Sequence, residues 1–212
     1  MIYADNFLIC IAAPLCIALI FIKGSARRFC IFLILGMFVC LISSYVNVFV
    51  ASQMDMDSSS AAIYIAPIVE EIIKMLPVLF CFLVLEYDED KIITAAICVG
   101  IGFATFENCC YALESGTGDM AFMLARGFAA GMMHVVCSAV VGISFALLRK
   151  YESMSFFIII GILASASTFH AIYNLLTTGG MAAHAVAYTL PALLIAIGYP
   201  LYIHFREKRS IA

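Results

Sequence analysis

Residues 61–85 read AAIYIAPIVEEIIKMLPVLFCFLVL, an apolar run broken only by Glu70, Glu71 and Lys74. About 20 mostly apolar residues suffice to carry a helix across the hydrocarbon of a bilayer. Each ionisable side chain near the centre of such a helix costs roughly 2.5–3.5 kcal/mol even on the lenient insertion scale. Two carboxylates and an ammonium are costly in a segment that only has to span. The run therefore reads as a membrane helix that carries a site.

The rest of the chain is of the same kind. It is 65% hydrophobic, against roughly 45–50% in soluble domains. Further runs lie at Tyr3–Ile22, Phe29–Ala51, Ile92–Leu113, Met120–Leu148, Ser155–Leu176 and Met181–Phe205. With Ala61–Leu85 they predict an all-α, polytopic bundle of about seven transmembrane helices, the fifth long enough to need tilt. Residues 1–212 form one membrane-embedded domain in this reading, with the polar core at about 61–177 and no stretch left for a soluble domain. Asp5 stands where a signal peptide would be basic, so the first run is read as a retained span. The net charge of -3 and the lack of a large basic cluster exclude nucleic acid as a partner. None of the nine cysteines forms a C-x-x-C pair, and they read as packing thiols.

The loops orient the bundle. Lys23, Arg27, Arg28, Lys91, Arg149, Lys150, Arg206, Lys208 and Arg209 fall in alternate gaps; the other side carries only Asp5, Asp55, Asp57, Glu114 and Asp119. The positive-inside rule then puts the N-terminus outside and the C-terminus in the cytoplasm. The acidic run from Glu86 to Asp90 counts little in that rule.

Only two of the eleven Lys and Arg residues, Lys74 and Arg126, lie inside runs. At about 1.5 Å per helical residue, Glu70, Glu71, Lys74, Glu107, Arg126, His134 and His170 all come to the outer half of the membrane, with Asn174 nearer the surface. Glu70 and Lys74 are i,i+4, and Glu71 and Lys74 are i,i+3, so one lysine can serve both carboxylates. Three buried carboxylates against one Lys and one Arg leave one negative charge in excess. A protonated carboxylate or a bound cation would balance it. Zinc held by two His and one Glu would keep a fourth position for water, with another Glu as general base. Gly127 and Gly131 form a G-x-x-x-G, read as close helix contact within the bundle.

With these residues in view, the chain resembles the PrsW family of intramembrane proteases, distant relatives of the CAAX prenyl endopeptidases and bacteriocin-immunity proteins. The resemblance is carried by Glu70-Glu71-Ile-Ile-Lys74 (E-E-x-x-K), Phe103-Ala-Thr-Phe-Glu107-Asn108 (F-x-x-x-E-N), Arg126 with His134, and His170-Ala-Ile-Tyr-Asn174 (H-x-x-x-N). These motifs cover spans three to six. They imply an endopeptidase of a multi-pass, bacterial cytoplasmic-membrane type. Its substrate would be a single-span membrane protein, such as an anti-sigma factor, cut near the extracytoplasmic side.

The expected assignment makes Glu107, His134 and His170 the zinc ligands and Glu70 or Glu71 the general base. Lys74 keeps the second glutamate ionised, and Asn174 steadies the carbonyl oxygen. Arg126 and Asn108 serve substrate binding or structure. A metal-free, glutamate-activated water uses the same residues. An ion- or proton-coupled transporter is the main rival, and the apolar inner half of the spans argues against it. A non-catalytic immunity or binding relative is the third reading.

Overall fold

The chain was analysed as a computed structural model that describes residues 4–85, 87–115, 120–150 and 156–211. Tyr3, Glu86, Asp119 and Ser155 lie outside the described residues, as do the side chains of Lys150, Arg206, Lys208 and Arg209. Eight helices and no strand occur among the described residues: α1 (Ala4–Phe21), α2 (Gly24–Gln53), α3 (Ser58–Tyr64), α4 (Ala66–Leu83), α5 (Glu89–Ser115), α6 (Met120–Lys150), α7 (Phe156–Thr177) and α8 (Met181–Ile211).

Six of them, all but α3 and α4, are long and apolar enough to cross a membrane. Their outward faces leave Ile20, Phe21, Phe128 and Phe157 largely exposed, as a lipid-facing surface does, since helices satisfy their backbone internally. The protein is thus a multi-pass membrane bundle. Helix α4, about 27 Å long at 1.5 Å per residue, is the seventh segment of spanning length; its three charges keep it out of the apolar set, and they lie on its buried face, opposite the exposed Ile68, Leu76 and Phe80.

The third predicted span is two helices, not one. Asp57 caps α3 by accepting a hydrogen bond from the Ser60 amide at 2.8 Å. The helix then breaks at Ile65, and α4 starts with Pro67 in its first turn. A proline ring clashes with the carbonyl four residues back and donates no N–H, so a continuous helix through 63–67 is disfavoured. Pro77 stays inside α4.

Helix α5 is central, packed chiefly against α6 and α2 and also against α4. Glycines set those distances. A Cβ at Gly36 on α2 would collide with the Val99 carbonyl of α5, and one at Gly102 on α5 with the Leu33 carbonyl of α2. Gly142 on α6 likewise packs on Ala96, 2.7 Å from where its Cβ would stand. Gly127 and Gly131, expected at such a contact, have nothing within 4 Å of a built Cβ. That G-x-x-x-G faces open space, because the close approach of α6 to α5 lies further along the helix, at Ser138 and Gly142. At one end of the bundle Arg149 of α6 donates to the Phe82 carbonyl near the end of α4. At the other, Ala4, Ala51, Ser58 and Glu114 line one cavity.

Candidate active site

Helix α4 supplies Glu70, Glu71 and Lys74, all buried. Lys74 does not divide itself between the two carboxylates as the spacing allows. Its Nζ donates to Glu71 Oε1 at 2.5 Å and lies 3.0 Å from His134 Nδ1 on α6. It also sits 4.7 Å from the centroid of the Phe103 ring. Glu71 Oε1 takes a second bond from His170 Nδ1 of α7 at 2.9 Å. Through Oε1, Glu71 thus holds a cation and a histidine, while its Oε2 is buried without a hydrogen-bond partner.

Glu70, one residue earlier and about 100° around the helix, points elsewhere. Its Oε1 accepts from Asn47 Nδ2 of α2 at 3.1 Å. Its Oε2 is buried without a hydrogen-bond partner and lies 3.9 Å from His170 Nε2. The rings of His134 and His170 stand edge to face with centroids 5.0 Å apart. One ligand atom each from Glu70, His134 and His170 lie within 4.8 Å of one another.

Glu107 of α5 joins from the side. Its Oε2 is 3.0 Å from His134 Nε2 and accepts from Arg126 Nη2 at 3.3 Å. The Arg126 guanidinium lies 3.2 Å from the Tyr111 ring centroid, a cation–π stack. The expected residues Glu70, Glu71, Lys74, Glu107, Arg126, His134 and His170 thus form one connected cluster, and Glu70 rather than Glu107 completes the group of mutually close ligand atoms.

Two predicted residues stand apart from it in their contacts. Asn174 Nδ2 donates to the Ala62 carbonyl at 2.8 Å, which ties α7 to α3. Asn108 Oδ1 is buried with no hydrogen-bond partner among the described residues. His184 of α8 contacts the Thr177 carbonyl through Nε2 at 2.8 Å.

The donor set suits a metal. Two imidazoles and a carboxylate make the usual three-protein-ligand catalytic zinc set, and the unpartnered Glu70 oxygen supplies the negative charge. His170 is already oriented for ligation: its Nδ1–H meets a carboxylate and its Nε2 faces Glu70, the pattern by which outer carboxylates hold metal-binding histidines. His134 is arranged otherwise, with Lys74 at one ring nitrogen and Glu107 at the other.

Glu70 and Glu107 also line a cavity of about 580 Å³ enclosed by α1, α2, α3, α4 and α5. Cys40, Ser44, Asn47, Ala62 and Tyr111 contribute to its walls. Asn47 escaped the sequence reading. The only trace was that it is the sole asparagine in the apolar run of α2.

A family model described as PrsW family intramembrane metalloprotease matches residues 24–202. No curated protein and no solved structure matches the chain.

Proposed function

The chain belongs to the PrsW family of intramembrane metalloproteases, and from that premise we propose that it hydrolyses a peptide bond of a single-span membrane protein near the extracytoplasmic side. The observation that carries the reading is Glu70. One of its oxygens is fixed by Asn47 and the other is unpartnered beside two histidines, at a cavity reaching one end of the bundle. A carboxylate so placed can meet water and a substrate carbonyl together.

Glu70, His134 and His170 would hold zinc, which would polarise the carbonyl and make water nucleophilic near neutral pH. Glu107, on the cavity wall with Glu70, takes the proton from the attacking water. Arg126 and His134 both hold its Oε2. Glu71 aims His170 through Nδ1, and Lys74 keeps Glu71 ionised in a buried place.

A specific observation favours a second, metal-free reading. Lysine can only donate, so with Lys74 charged His134 Nδ1 accepts, and the ring proton sits on Nε2 towards Glu107. In that tautomer His134 is a donor and Glu70 is the base. Zinc at Nε2 would move the proton to Nδ1 and turn Lys74 wholly to Glu71.

The test is reconstitution of the purified protein with single-span reporters tagged at both ends, in unaltered, Glu70→Gln and His170→Ala forms. Cleavage is expected to fall by orders of magnitude in both variants. Cleavage at the unaltered rate in Glu70→Gln refutes the proposal. Bound-metal analysis of the same samples separates the two readings: about one zinc per chain supports the first, and active protein without metal the second.

A further inference from the structure

We propose that Asn47 of α2 is a positioning residue for Glu70, so that the reactive unit includes a helix outside the motif-bearing core. This inference rests on the reading of Glu70 as the site's central carboxylate.

Three observations carry it. Asn47 Nδ2 donates to Glu70 Oε1 at 3.1 Å, and it is the only hydrogen bond to that carboxylate among the described residues. Without it Glu70 would be free to rotate about its terminal torsion, which is broad and roughly two-fold. Second, Asn47 gives up its own satisfaction to do this. Its Oδ1 is buried with no hydrogen-bond partner, a state that is costly for a neutral polar group. Flipping the amide would set a carbonyl oxygen against a carboxylate oxygen, so the Glu70 bond decides the orientation. Third, Asn47 and Glu70 line the same cavity, so the fixed geometry is presented where a substrate would enter.

The contact also explains how the two adjacent glutamates are kept in different roles. Lys74 and His170 share Glu71 Oε1, while a single neutral donor from α2 orients Glu70; both Oε2 atoms are buried without a hydrogen-bond partner, but only Glu70 lines the large cavity. A charged partner in place of Asn47 would hold Glu70 more tightly and quench its basicity and ligand strength.

The experiment measures cleavage of one tagged single-span reporter in proteoliposomes by the full-length protein and its Asn47→Leu, Asn47→Ala, Glu70→Gln and Asn47→Leu/Glu70→Gln variants. Thermal melting of each serves as the folding control. Misplacing a reacting group by about 1 Å can cost 10²-fold, so we expect kcat to fall about 10- to 100-fold in Asn47→Leu and Asn47→Ala. KM and melting should stay near those of the unaltered protein. In the Glu70→Gln background, Asn47→Leu should add no further loss, as for residues that act as a unit. Unchanged kcat in both folded Asn47 variants, or a further loss in the double variant, overturns the role of Asn47. Undiminished cleavage in Glu70→Gln, or none by the unaltered protein on any reporter, overturns the reading beneath it.

Discussion

Lys74 Nζ lies 3.0 Å from His134 Nδ1, so a buried ammonium on α4 selects the proton position of a histidine on α6 while holding Glu71 at 2.5 Å. Both partners are almost fully enclosed. Breaking a buried pair by removing one member costs about 3–5 kcal/mol, because the other charge is left uncompensated. Lys74→Met should therefore lose that much stability, and Lys74→Met/Glu71→Gln should recover part of it. Denaturant unfolding in mixed micelles measures both. A double variant less stable than the single one would show that the pair is not coupled.

The two adjacent glutamates should fail differently when neutralised. Glu70→Gln removes a charge that no cation contacts, so cleavage should fall by about 10²–10⁴, the usual range for a general acid–base group, with melting unchanged or raised. Glu71→Gln removes the negative charge that faces both Lys74 and His170 and should lower melting and activity together. Comparing melting temperatures and single-turnover rates distinguishes them; equal melting would argue against separate roles.

The glycines make a stability prediction that the motif alone would reverse. Gly102→Ala drives a methyl group into the Leu33 carbonyl, and overpacking of this kind costs about 1–3 kcal/mol. Gly131→Ala meets nothing within 4 Å and gains helix propensity, up to about 1 kcal/mol. Unfolding of the two variants side by side checks the order. If Gly131→Ala proves the more damaging, the packing described for α5 and α6 is wrong.

Asp57 should make the start of α3 sensitive to acid. Its hydrogen bonds from Ser60 hold its carboxyl below the ordinary aspartate value. A depressed value in the folded state means that the cap contributes fully above the unfolded value, about 3.9, and is lost as pH falls through the folded one. The Ser60 amide should be protected from hydrogen exchange at pH 7, and Asp57→Ala should abolish that protection. Unaltered protection in the variant would mean that the packing of α3, not the cap, sets its stability.

How much of this was legible beforehand varied with the kind of interaction. Every predicted apolar run came out helical, because spanning length is a local property of the chain. The run at 61–85 was expected as one span, whereas it breaks at Ile65 and a new helix starts with Pro67 in its first turn. Glu70, Glu71, Lys74, Glu107, Arg126, His134 and His170 were singled out because each is expensive in hydrocarbon. Asn47 drew no attention, since one amide costs far less than a charge. The G-x-x-x-G of α6 misled because the motif records that a helix can be approached closely, not which neighbour approaches it.

Composition and spacing determined by themselves that the chain is a membrane bundle, and which side chains are too polar to be there by default. Which partner each of those side chains takes was decided only by the tertiary structure. The spacing of Glu70, Glu71 and Lys74 permits either glutamate to hold the lysine, whereas the rotation of α4 against α2, α6 and α7 gives Glu71 to Lys74 and His170 and turns Glu70 to Asn47. The deciding contacts join residues 60 and 99 positions apart. A helical period orders one face of one helix, but the rotational setting of neighbouring helices comes from the packing between them.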